Sequence, residues 1–405
     1  MSPGRRRTLI ITGPPHIFGG VSAKARLLAN VLTGRGHRVT VAHYATFSAE
    51  PALNGSVAGI LRGRSPSMRR YTVWDGKDAV AVGCWLPELE ASYYRDSSRW
   101  RELVATHDRH IAVGGTPLFA APLAAARIPH LIWCATDAIS DRIDRRAAMP
   151  LWRRIYDRVL VGPSLRRLER AVLSGPGRIL GVSDYTLACL RRVAPDRSWP
   201  MARLPIPVDL LRFSPPSTPP SAGVIGFAGR LSDPRKNVGL LLDALALIRA
   251  RGIPARLELA GDAPIGFAEA ITRRKLVDHV AWHGPLAAAD LPAFYRGLDV
   301  FAIPSLQEGH AIVGIEAAAC GVPIVSTRCG GPESYVQDGV TGFLCDLDAV
   351  ALADVLARVI ADRPRRAAMG AACRAMAERD YGLDVFTRAL TEEWRRTWPE
   401  DPDGP

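Results

Sequence analysis

The chain has 405 residues, 48% hydrophobic and 23% charged, a composition that excludes wholesale disorder and a small disulfide-stapled scaffold. Its 52 Lys and Arg against 40 Asp and Glu leave a formal charge of +12, which favours an anionic partner: a nucleotide, a phosphate, a membrane surface or a nucleic acid. At roughly 150 residues per domain, the length points to two or three domains.

Seven cysteines (Cys84, Cys134, Cys189, Cys320, Cys329, Cys345 and Cys373) stand singly without a CxxC pair, which points to a reducing compartment and away from a zinc ribbon. Behind Arg5, Arg6 and Arg7, the apolar stretch Leu9-Ile10-Ile11 is too short for a signal-peptide core. No run approaches the ~20 apolar residues of a spanning helix. The expectation is a cytoplasmic protein that visits a membrane only from its inner face.

In chain order, residues 8–13 predict a buried strand, residues 22–33 a helix with Ala25, Leu28, Ala29 and Leu32 on its apolar side, and residues 37–44 an alternating strand. Gly19 and Gly20 sit at the first strand–helix junction, where glycine lets backbone approach a phosphate; neither a GxGxxG fingerprint nor a Walker lysine is present. Further strands are predicted at 79–84, 110–113, 130–134 and 178–182. Between them, the stretch from Arg142 to Arg170 holds nine arginines against Asp144, Asp157 and Glu169. Within it Trp152, Ile155, Tyr156 and Val159 follow helical spacing, with Arg153, Arg154 and Arg158 opposite. Such a segment is either a core-packing helix with a solvated basic face or a surface that lies on anionic lipid.

Residues 202–223 contain six prolines and no helical period, the pattern of an interdomain linker. The α/β rhythm then restarts, with strands predicted at 223–229, 255–261, 279–284, 299–304 and 322–326, and a helix at 238–249. A last helix is predicted over 383–398. The expected division is 1–205 as a first domain, 206–221 as linker, 222–382 as a second domain and 383–405 as a helix that crosses back. Two doubly wound α/β sheets would face each other across a cleft at the carboxyl ends of their strands, where such sheets bind ligands.

Two segments carry candidate chemistry. In PSLQEGHAIVGIEAAACG, Glu308 and Glu316 flank a helix predicted to start near Ala311, whose free N–H groups form an anion site. Carboxylates accept from sugar hydroxyls while N–H groups hold phosphate; the bland counterpart is a capping acid plus a solvated helix glutamate. In GRLSDPRKN, Arg230 and Lys236 follow Gly229 at a strand end, placed either to bind a diphosphate or to make a solvated basic turn.

Taken in order, Gly229-Arg230…Lys236, LAGD, HGPL, PSLQEGHAIVGIEAAACGVPIVST and GGPESYVQDGVTGFL resemble the retaining glycosyltransferases of family 4, with the GT-B fold. The resemblance covers nearly all of the second half and continues more thinly through GGVSAKARLLANVLTGRGHRVTV, GVSDYT and PIPVDLLRF. It implies retaining transfer of a sugar from a nucleotide-diphosphate sugar to a glycan or lipid-linked acceptor, with no metal and no cofactor. On the matching positions Arg230 and Lys236 would neutralise the departing diphosphate, and Glu308 and Glu316 would accept hydroxyls of sugar and ribose. The backbone of Gly309, His310, Ala311 and Ile312 would hold phosphate with Gly229, and Gly19 and Gly20 would close from the first domain.

Two positions depart from the family pattern: His310-Ala311 stands where Phe-Gly is common, the alanine methyl narrowing the space beside the sugar and the histidine offering a new polar contact, and Thr136 before Asp137 stands where an acceptor-side histidine is expected. A non-catalytic sugar-nucleotide-binding or regulatory relative is therefore the competing reading. Nucleic-acid binding has only the net charge in its favour, since no reading module or aromatic–basic platform is present.

Overall fold

The computed structural model describes residues 6–17, 19–142, 149–195, 201–218, 220, 223–401 and 404. Arg145 and Arg146 of the basic stretch and Pro219 of the expected linker lie outside these residues. The chain divides into two compact units, residues 1–204 with 387–405, and residues 205–386.

In the first unit, β1 (Arg7–Thr12), β2 (Arg38–Tyr44), β3 (Met68–Val73), β4 (Lys77–Val82), β5 (Arg109–Val113), β6 (His130–Cys134), β7 (Gly177–Gly181) and β8 (Met201–Arg203) form one eight-stranded sheet. Its order is β3-β4-β2-β1-β5-β6-β7-β8, parallel except for β3, which pairs antiparallel with β4. The central strands are apolar on both faces, Leu9, Ile10, Ile11, Ile111, Ala112 and Ile132 being buried, because helices cover a parallel sheet on both sides. The helix Gly20–Gly34 buries Ala25, Leu28, Ala29 and Leu32 as its spacing predicts. It also buries Lys24.

The β3–β4 hairpin was not anticipated, although Asp75-Gly76 carries its turn signal; Trp74, Asp75 and Gly76 all take positive φ there. The helix Leu383–Thr397 leads into the segment that packs on this unit: Trp394 stacks edge-on against His37, and Asp401 accepts from Arg109 Nε and Trp394 Nε1, each at 3.1 Å.

The stretch from Arg142 to Arg170 corrects one of its two readings. Its described part is the helix Leu151–Tyr156, a π-turn over Asp157–Val161 and the helix Gly162–Leu173. Leu151, Trp152 and Val159 are 71%, 67% and 62% exposed, so this segment does not pack an apolar face into the core. Only from Leu165 onward, with Val172 and Leu173, does it bury apolar side chains.

In the second unit, β9 (Val224–Ala228), β10 (Arg256–Ala260), β11 (Val280–Trp282), β12 (Val300–Ile303), β13 (Ile324–Thr327) and β14 (Gly342–Cys345) form a six-stranded, all-parallel sheet. The order β11-β10-β9-β12-β13-β14 is the doubly wound pattern, with its switch point between β9 and β12. Val238, Leu241, Leu245 and Ile248 of the helix Val238–Ala250 pack one face of the sheet.

The expected interdomain linker, 206–221, is packed onto the second unit over residues 206–218. Val208 and Phe213 are buried in the second unit's core, Val208 N–H donates to Tyr381 O at 2.8 Å, and Arg374 Nη1 donates to Phe213 O at 2.7 Å. Proline stops helix and strand there, but two apolar side chains and a half-buried guanidinium fasten the extended backbone to the domain that follows.

Candidate functional site

The carboxyl ends of β9, β12 and β13 in the second unit carry the motif residues, so the doubly wound topology gathers segments separated by about a hundred positions. After β9 the chain makes the turn Pro234–Lys236, capped by Asp233, whose Oδ1 accepts from Arg235 N–H at 3.1 Å. Burial pushes the Asp233 carboxyl up, but the Arg235 hydrogen bond and the charges of Arg235 and Arg230 outweigh it and hold it at about 2. Arg230 Nη2 lies 3.1 Å and Arg235 Nη2 2.8 Å from Asp233 Oδ2. Arg230 is nonetheless exposed along most of its side chain, so its guanidinium is free to swing toward a ligand.

Lys236 is not the solvated cation of a basic turn. It is largely buried, and its Nζ lies 2.6 Å from Glu308 Oε1. Ser305 Oγ donates to that same oxygen at 2.8 Å. The backbone of Glu308 is clamped as well: its N–H donates to Cys329 O, and its C=O accepts from Gly331 N–H, both at 2.7 Å. A Cβ on Gly331 would stand 2.5 Å from His310 N, so glycine is required for this close approach. Leu306 N–H donating to Arg235 O at 2.8 Å ties the loop after β12 to the turn after β9. Glu308 is thus an ion-paired, oriented carboxylate and not a capping acid.

The helix Ile312–Ala319 opens on Ala311 and carries Glu316 in its second turn. Ala311 holds a left-handed backbone (φ 54°, ψ 63°), fixed by Tyr335 OH at 3.1 Å and Gly314 N–H at 2.9 Å on its carbonyl. An L-residue pays about 1–2 kcal/mol for that conformation. Ala311→Gly should therefore stabilise the second unit by about 0.5–1 kcal/mol after the larger chain entropy of glycine is counted. Urea denaturation checks this, and an unchanged or lower stability would show that the alanine methyl contributes packing that outweighs the strain. His310, expected to offer a ligand a polar side chain, instead has its ring buried against Tyr335 and Tyr381, at centroid distances of 6.2 and 5.6 Å. Glu316 is partly buried and accepts from Tyr295 OH at 2.8 Å. Burial raises its carboxyl to about 7, against the opposing pull of Tyr295 and Arg212.

In the first unit, Gly19 precedes the helix that follows β1 and Gly20 opens it, and Thr136 and Asp137 follow β6. Thr136 is buried and its Oγ1 has no partner among the described residues. Asp137 has local work: its Oδ1 accepts from Ile139 and Ser140 N–H at 3.0 and 2.9 Å. Lys24 was missed in the sequence. Its Nζ donates to Gly114 O at 2.9 Å and lies 5.2 Å from the Trp133 ring centroid, while burial lowers it to about 8. The signal was its position four residues before Leu28, on the apolar stripe.

Comparison with known proteins gives these geometries a context. The family "Glycosyl transferases group 1" matches residues 222–362. A D-inositol 3-phosphate glycosyltransferase of Xylanimonas cellulosilytica is 28% identical over 95% of this chain and 93% of its own length. A GDP-mannose-dependent alpha-(1-6)-phosphatidylinositol monomannoside mannosyltransferase of Mycobacterium tuberculosis is 32% identical over 57% of this chain and 64% of its own. A D-inositol 3-phosphate glycosyltransferase of Salinispora tropica is 32% identical over 47% of this chain, the match spanning 46%, about half, of that relative.

Among solved structures, sucrose-phosphate synthase from Thermosynechococcus elongatus superposes with a TM-score of 0.74 at 19% identity over 98% of this chain and all of its own. Anabaena Alr3699/HepE in complex with UDP-glucose gives 0.70 at 19% identity over 97% and 100%. These likenesses establish two Rossmann-like α/β units of the GT-B fold. The stretch that matches the glycosyl transferases group 1 family is the one that bears the Lys236–Glu308 pair and the Glu316 helix.

Proposed function

We propose that the protein is a retaining glycosyltransferase that moves a sugar, a hexose by its resemblance, from a nucleotide-diphosphate sugar to an acceptor hydroxyl. The observation that carries this reading is the Lys236–Glu308 pair, 2.6 Å apart and braced by Ser305, at the switch point of the parallel sheet. As the bond from sugar to phosphate breaks, negative charge grows on the departing diphosphate. Lys236 and Arg230 meet that charge, and because Lys236 is held in place beforehand, its stabilisation is larger in the transition state than in the ground state. Glu308, held from behind by backbone, accepts hydroxyls of the sugar. The N–H groups from Gly309 to Ile312 hold phosphate, and Glu316 accepts ribose hydroxyls, Gly229 leaving room for close backbone approach.

A panel of UDP-, GDP- and ADP-sugars tests this by thermal shift, followed by release of nucleoside diphosphate with glycan and lipid-linked acceptors. A shift with no release under any pairing would favour the non-catalytic relative, to which the Thr136 and Ala311 departures point.

The acceptor is lipid-linked in this reading, and the protein reaches it as a peripheral visitor to an anionic membrane surface. The support is the exposed Leu151, Trp152, Ile155 and Val159 beside Arg153, Arg154 and Arg158, apolar side chains set among cations. Among the described residues no helix is long and apolar enough to cross a membrane. In flotation with vesicles, the protein should rise with those containing phosphatidylglycerol and stay behind with pure phosphatidylcholine. Trp152→Ser should weaken the association several-fold, and flotation indifferent to lipid charge would end the idea.

A further inference from the structure

The second unit contains a cavity of about 570 Å³ that the donor chemistry leaves unused. It lies at the amino ends of β12 and β13, where Leu298 and Asp299 precede one strand and Val322 and Pro323 precede the other, opposite the edge that carries Lys236 and Glu308. One wall is the helix Arg363–Tyr381, which turns Ala367, Gly370, Ala371 and Ala375 toward the space while burying Met369, Cys373 and Met376 elsewhere. These small side chains at helical spacing leave the volume open. Pro215, Leu298, Cys320 and Val322 complete an apolar lining. The volume falls inside the ~300–1,000 Å³ of small-molecule sites.

Four arginines border this space, and they divide into two kinds. Arg366 is committed, with Nη1 on Val359 O and Ile360 O and Nη2 3.0 Å from Asp299 Oδ1. Arg374 is committed too, donating to Leu210, Phe213 and Ala319 carbonyls and pairing with Glu378 at 2.6 Å. The guanidiniums of Arg296 and Arg363 make no hydrogen bond or ion pair among the described residues. An apolar recess, open to solvent along Ala367, Ala371 and Ala375, with two uncommitted guanidiniums at its border is complementary to one kind of molecule.

We propose that this cavity binds an anionic amphiphile: a short acyl or alkyl body in the recess, with its carboxylate or phosphate on Arg296 and Arg363. The site is independent of the transferase reading. It touches that reading at one place, because Cys320 and Gly321 on its wall close the helix that opens at Ala311 and bears Glu316.

Isothermal titration of the full chain with octanoate, octyl phosphate and octan-1-ol tests the proposal. Both anions should bind, octan-1-ol about tenfold or more weaker, and Arg296→Gln/Arg363→Gln should weaken the anions about tenfold while leaving thermal stability unchanged. Tighter binding of octyl phosphate assigns a phosphate headgroup, and equal or tighter octanoate a fatty acid. Ala371→Trp should fill the recess and abolish binding; Ala367→Leu on the same helix face replaces it if that variant is unstable. No binding of either anion up to about 1 mM, binding of the alcohol equal to the anions, or undiminished binding in the filled variant would each overturn the proposal. None of these outcomes depends on sugar transfer.

Discussion

Lys236→Ala should lower kcat for sugar transfer by about 10²–10³-fold, the usual loss when one preorganised charge is taken from a developing anion. The change removes the only described cation within 3 Å of Glu308 and leaves that carboxylate on Ser305 Oγ and its backbone clamp. Because the ammonium acts on the leaving group, the loss should fall mainly on kcat and less on the KM of the donor. Thermal unfolding of the variant separates lost catalysis from lost structure. A variant that keeps its fold and more than about half its kcat would remove Lys236 from the chemistry, since a group stabilising charge in the transition state cannot be deleted at so small a cost.

Glu169→Gln should change how stability depends on pH. Glu169 is fully buried on the helix Gly162–Leu173; its Oε1 accepts from Ala138 N–H at 2.8 Å, and its Oε2 has no partner among the described residues. Burial first, and the charge of Asp137 after it, raise the carboxyl to about 8, while the Ala138 N–H and Arg166 pull the other way. Between the unfolded value of 4.5 and about 8, the folded chain holds a proton that the unfolded chain gives up. The stability from this group is therefore complete below 4.5 and is lost as pH rises through about 8, at up to about 1.4 kcal/mol per pH unit. Gln keeps the acceptor for Ala138 and cannot ionise. Urea denaturation at pH 5 and pH 8 should show the variant close to the parent at the lower pH and a few kcal/mol more stable at the higher. An equal pH dependence in the two proteins would mean that Glu169 is ionised in the folded chain.

The same two residues show how legibility divides. Lys236 and Glu308 could be found because they stand in short motifs at the ends of strands that an apolar run announces. Glu169 and Lys24 could not be assigned a state, since a charged residue on a helix is ordinarily solvated and only packing reveals that it is not. The Arg142 to Arg170 stretch fails in the opposite direction. Its helical spacing of Trp152, Ile155 and Val159 is the pattern of a buried face, and periodicity carries no information about whether another element covers it. His310 looked like a polar contact for a ligand, and its burial against Tyr335 and Tyr381 came from residues 25 and 71 positions further on.

The amino-acid sequence by itself determined the alternation of strand and helix, the presence of two α/β domains, and the motif set that marks the second of them. Those properties are local, written in apolar period and in residues within a few turns of one another. The tertiary structure alone decided that residues 205–218 belong to the second unit, and that Lys236 is paired while Arg230 is exposed. Each of these depends on which distant segments exclude water from a side chain, and a strand order that places β9 beside β12 settles that only once the chain has closed on itself.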